Sequence, residues 1–78
     1  MPTVAIIGPY RFFFYSGDRG EACHIHVARD RSTAKFWLDP VRLDKSKGFP
    51  DRELMRLQKI VHEHEAEFQE KWHEYFGS

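Results

Sequence analysis

The apolar residues of this chain change their period once, at Pro50, and that change leaves few folds open. Before it, short runs alternate: TVAII, YRFFFYS, CHIHVAR, STAKFWL and VRLDK. After it, Leu54, Leu57, Val61, His64, Phe68, Trp72 and Tyr75 recur at spacings of three and four. Alternation marks a strand with one buried face, and the wider spacing marks an amphipathic helix. The runs are punctuated by Gly8-Pro9, Gly17-Asp18-Arg19-Gly20, Asp30-Arg31, Asp39-Pro40 and Lys47-Gly48. Connections this short join antiparallel neighbours. The pattern predicts an α+β fold: an antiparallel meander of four to five strands with one long C-terminal helix packed on one face. Residues 1–78 read as a single domain, with the sheet in 1–48 and the helix in 50–76.

Pro50 and Asp51 suit a first helical turn, and Gly77 suits a stop. A straight helix of that length would run about 39 Å. That exceeds the expected width of the sheet, so its last turns are expected to project.

Alternation also sorts the strands into faces. Tyr10, Phe12 and Phe14 share a side with Cys23, Ile25 and Val27, and with Ala34, Phe36 and Leu38; Val41 and Leu43 join them under the helix. The opposite face carries Arg11, Phe13, Tyr15, His24, His26, Lys35 and Trp37. Three large aromatics turned away from the helix form a patch that suits a partner, a second copy or a ligand. The plainer alternative is that Phe13 or Trp37 curls round a sheet edge into the core.

His24 and His26 admit three readings. As alternate strand residues they point the same way and could share a metal ion, but a zinc site needs three or four ligands. Cys23 belongs to the other face, and His62 and His64 belong to the helix. Neither metal nor cofactor is therefore expected, and a metal-binding domain ranks third. As catalysts, the two imidazoles could serve as acid and base in metal-independent RNA cleavage. Lys35 or Arg11 would then stabilise the charged phosphorane, and Tyr15 or Trp37 would stack a base. In the third reading the histidines only hydrogen-bond on a binding face. Cys23, facing the core, reads as a small buried hydrophobe.

Charge narrows the partners. The formal net charge is zero, yet residues 1–60 hold eleven Lys or Arg against seven Asp or Glu, while residues 61–78 hold five Glu against one Lys. A neutral total opposes a strongly non-specific nucleic-acid binder but permits a local basic face. The start MPTVAIIGPY has no basic n-region, and no apolar run approaches a membrane span. A cytoplasmic protein without a membrane partner is expected.

The Met-Pro-Thr opening, YRFFFYS, HIHV, AKFWLDPV, GF followed by REL, and the closing WHEYFG together resemble the small prokaryotic family called domain of unknown function 4160. Its His-x-His element maps to His24 and His26, and its Lys-Phe-Trp-Leu element to Lys35 through Leu38. Pro50-Asp51 stands where members often have Ser-Pro, and Cys23 where a proline is common. The resemblance implies one half of a toxin–antitoxin-type gene pair. On that basis the chain is expected to be the toxin-like member; the reading of the sheet face adds that it binds a cognate small protein through Phe13, Tyr15 and Trp37 and, if an enzyme, cleaves RNA with His24, His26, Lys35 and Arg11. The alternative is a non-enzymatic interaction or dimerisation module.

Overall fold

A computed structural model describes residues 3–77; Met1 and Pro2 of the opening motif, and Ser78, lie outside the described residues. The strands are β1 (Thr3–Ile7), β2 (Tyr10–Phe13), β3 (His24–Arg29), β4 (Ser32–Leu38) and β5 (Val41–Lys47). They pair antiparallel in chain order, a five-stranded meander. Two helices follow, α1 (Asp51–Glu63) and α2 (Glu65–Phe76).

Three of the four strand connections are two-residue turns, fixed by the pairs Ile7↔Tyr10, Arg29↔Ser32 and Leu38↔Val41. Gly8 and Asp30 supply the positive φ that tight hairpins require, at 59° and 55°. Gly48 ends β5 at φ 92°, and a Cβ there would sit 2.6 Å from Ser32 Oγ. The fourth connection, residues 14–23, is long and carries a 3₁₀ turn at Ser16–Gly20.

The core lies where alternation puts it. Tyr10, Phe12, Phe14, Ile25, Val27, Ala34, Phe36 and Leu38 are buried against Leu57, Val61, Phe68, Trp72 and Phe76, with Cys23, Val41 and Leu43 packed at its margin. Cys23 is half-buried rather than buried as expected; burial, with help from Asp39, still lifts its thiol to about 11.

The single long helix is corrected to two. The chain leaves helical geometry at His64, with φ −107° and ψ 16°, after a tightened turn in which the His64 N–H donates to both Ile60 and Val61 carbonyls. α1 then packs on β4 and β5, while α2 packs on β3 and β4. A straight helix would carry Trp72 and Phe76 past the sheet. Burying such a side chain contributes about 2 kcal/mol, against about 1 kcal/mol for a helical hydrogen bond, so the break wins. It also shifts the phase: Phe76 is buried where Tyr75 was expected, and Tyr75 is 44% exposed.

Polar ties complete the frame. Arg29 clasps Glu53 of α1 through two hydrogen bonds of 2.7 Å, and the Tyr10 hydroxyl donates to the same carboxylate at 2.7 Å. Gln69 of α2 donates to the Leu38 carbonyl at 2.6 Å. Among the described residues, no helix is long and apolar enough to cross a membrane.

Candidate functional site

The strand register draws one row across the face opposite the helices. Phe13 pairs with His26, His26 with Lys35, and Lys35 with Lys45. Beside that row, Thr33 pairs with Lys47 and His24 with Trp37. The expected membership of this face therefore holds for Arg11, Phe13, His24, His26, Lys35 and Trp37.

The expected openness does not hold. Phe13, His24 and Lys35 are buried, because residues 14–23 fold back over this end of the sheet. Two acidic side chains of that connection reach the face. Glu21 accepts from Lys35 Nζ at 2.6 Å, and Asp18 meets both histidines. The Lys35 ammonium, which also lies 4.6 Å from the Trp37 ring centre, holds the Glu21 carboxyl below its ordinary range. Arg11 lies over Phe13 at 4.5 Å. Of the expected partner-binding aromatics only Tyr15, at 46%, is well exposed; Trp37 is half-buried.

The histidine pair is organised around one oxygen. Nε2 of His24 and Nε2 of His26 each lie 3.0 Å from Asp18 Oδ2, and the Tyr15 N–H donates to the same oxygen at 3.0 Å. Nδ1 of His24 is 2.7 Å from the Ala22 carbonyl, which can only accept, so this nitrogen carries a proton. His26 makes a hydrogen bond to Asp18, whereas His24 Nε2, fully buried, has no hydrogen-bond partner despite its proximity. The rings of Phe13, stacked at 5.5 Å, and Tyr15, edge-on at 4.6 Å, hold His26, and Trp37 and Trp72 flank His24.

Electrostatics follows the crowding. Burial pushes the Asp18 carboxyl up, but the Tyr15 N–H and the two imidazoles outweigh it and hold it below the ordinary carboxylate range. Burial pushes His26 down; Asp18 opposes this, while His24 and Lys35 add to it. The net effect favours the neutral form of His26.

Next to His26 the face opens into a cleft of about 360 Å³. Phe13, Tyr15 and His26 form one side, and Thr33, Lys45 and Lys47 the other, with Lys35 between. The structure thus brings Phe13, Tyr15, His26 and Lys35 to one cavity. Arg11 is not part of its lining, and Trp37 instead lines a separate hollow with Cys23. Sequence reasoning missed Asp18, Glu21, Lys45 and Lys47. Strict alternation from Val41 and Leu43 would put both lysines on the core face; the register shift between Lys35 and Phe36 in the β4–β5 pairing turns them to the cleft instead. Asp18 gave no signal beyond a polar turn between glycines.

A family model described as "Domain of unknown function (DUF4160)" matches residues 10–73. No curated protein and no solved structure matches.

Proposed function

The chain belongs to the DUF4160 family, and we propose that this member is the toxin-like half of a small two-protein module and binds RNA. One observation carries the reading: the cleft lined on one side by Phe13, Tyr15 and His26 and on the other by Lys45 and Lys47. A base stacking on the exposed Tyr15 ring contributes about 1–3 kcal/mol, and the lysines suit the adjoining phosphates. Lys35, neutralised by Glu21, shapes the cleft more than it charges it. In a molecule of zero net charge, this local pairing favours a short single-stranded segment over a long duplex.

Fluorescence anisotropy with a short labelled single-stranded RNA tests the reading. Lys45→Glu with Lys47→Glu should weaken binding at least tenfold and flatten its salt dependence. Equal affinity in the double variant removes the cleft from the function. Incubation with total RNA, with and without chelator, then decides whether cleavage accompanies binding. Strand scission lost in His26→Ala extends the reading to a ribonuclease.

A second reading, a non-enzymatic module that pairs with a cognate small protein or with itself, has its own support. β1 is an edge strand, and its Ile6 is 72% exposed. A stable complex with the neighbouring gene's product, disrupted by Ile6→Lys but not by the lysine changes, would favour it.

A further inference from the structure

We propose that Asp18, His24 and His26 form a binding site for a divalent transition-metal ion, with Zn²⁺ as the first candidate. The site goes beyond RNA binding and stands whether or not RNA occupies the cleft.

Counting lone pairs and protons leads there. One carboxylate oxygen has about two acceptor positions. Oδ2 of Asp18 spends one on the Tyr15 N–H and one on His26, and a third nitrogen, His24 Nε2, still lies 3.0 Å away. Because the Ala22 carbonyl claims a proton on Nδ1, a neutral His24 presents a lone pair at Nε2. Lone pair faces carboxylate in a fully buried place, and no protein hydrogen bond relieves it. A cation between them does, once His26 gives up the Nε2 proton it donates to Asp18 by shifting to its Nδ1–H tautomer, which leaves Nε2 as the ligand atom. A second proton on His24 would act in the same sense, so the experiment must separate proton from metal.

The geometry suits an ion. The three donor atoms all lie within 4.8 Å of one another. Bonds of about 2.0–2.1 Å in a tetrahedron place ligand atoms about 3.3 Å apart, which small side-chain rotations reach. The supports of a metal site are already present: the Ala22 carbonyl orients His24 through the nitrogen opposite the ion, and the Tyr15 N–H steadies Asp18. Two imidazoles and one carboxylate select borderline ions such as Zn²⁺, Fe²⁺ or Co²⁺ over Mg²⁺ or Ca²⁺, which prefer oxygen ligands. His26 lines the cleft, so an ion would enter from that side, and a water or a phosphate oxygen could complete its shell there.

The test uses the full chain, stripped with chelator and titrated with Co²⁺ while visible absorption is recorded. One equivalent should bring up ligand-field bands that Zn²⁺ displaces. Asp18→Asn and His26→Gln, checked for folding by circular dichroism, should each weaken binding at least a hundredfold. His24 is fully buried, so those two variants carry the test. The triple change His62→Gln, His64→Gln and His73→Gln should leave the titration unchanged. Absent one-to-one binding, binding unaffected in both site variants, or binding lost only in the triple variant each overturns the site. RNA affinity is measured separately on the metal-loaded and the stripped protein: no RNA binding in either state beside an intact Co²⁺ titration overturns only the RNA reading, and RNA binding without one-to-one Co²⁺ binding overturns only the metal site.

Discussion

Two carboxylates tie this sheet to what lies over it, and they are satisfied in opposite ways. Glu53 receives donors that have protons to give: two from the Arg29 guanidinium and one from the Tyr10 hydroxyl. Asp18 receives one N–H from Tyr15, shares one hydrogen bond with His26, and faces a third nitrogen that makes none. The first cluster is complete and fastens α1 to β3. The second leaves a buried lone pair unmatched, which a purely structural contact would not retain. The difference separates a clamp from a site.

The largest effect expected from that difference is a metal response. Zn²⁺ at a hundredfold excess over its Kd should stabilise the protein by about 2.7 kcal/mol, a rise of about 10 °C or more in Tm for a chain this small. Asp18→Asn should show no rise, and its metal-free Tm should move by less than that amount. A calorimetric scan in which Zn²⁺ leaves the native protein unmoved ends the contrast.

Glu53→Gln comes next. It should lower Tm equally with and without metal and leave Co²⁺ affinity unchanged, because the clamp shares no atom with the histidines. A variant that loses both stability and metal would show the two clusters to be one unit.

Acid should separate them by pH. His26 has its folded pKa below the ordinary histidine value, so the unfolded chain binds its proton first as pH falls. The stability it contributes is present above about pH 6.5 and declines below that. Glu53, lowered chiefly by the Arg29 hydrogen bonds and then by Tyr10, and Asp18, lowered as described, contribute above about pH 4 and lose their contribution further down. Urea midpoints of the metal-free protein should therefore descend in two stages, with the upper stage absent in His26→Gln. A flat profile between pH 7 and 5.5 would remove His26 from the account.

The smallest effect belongs to Tyr10→Phe. Loss of one donor to Glu53 should cost about 1 kcal/mol, with RNA and metal binding unaltered. Equilibrium urea unfolding measures it.

Much of the fold was legible because it is local. Two-residue turns set the register of three hairpins, and alternation then assigned Ile25 to the core and His26 to the opposite face without reference to anything distant. The helix was legible in its stripe but not in its break. Nothing at His64 breaks a helix by itself; the attraction lies in Phe68, Trp72 and Phe76, which need the sheet in place before bending is favourable. The site was legible only in half. His24, His26 and Lys35 came from strand alternation, whereas Asp18 and Glu21 come from a connection whose path no periodicity describes.

The sequence by itself determined an α+β meander, its core face, and the common direction of His24 and His26, since each follows from neighbours within a few residues. Tertiary structure alone decided that residues 14–23 fold over that face, burying His24 and setting Asp18 against two imidazoles. A periodic element carries its geometry in its spacing, but a loop takes its path from the surface on which it lands.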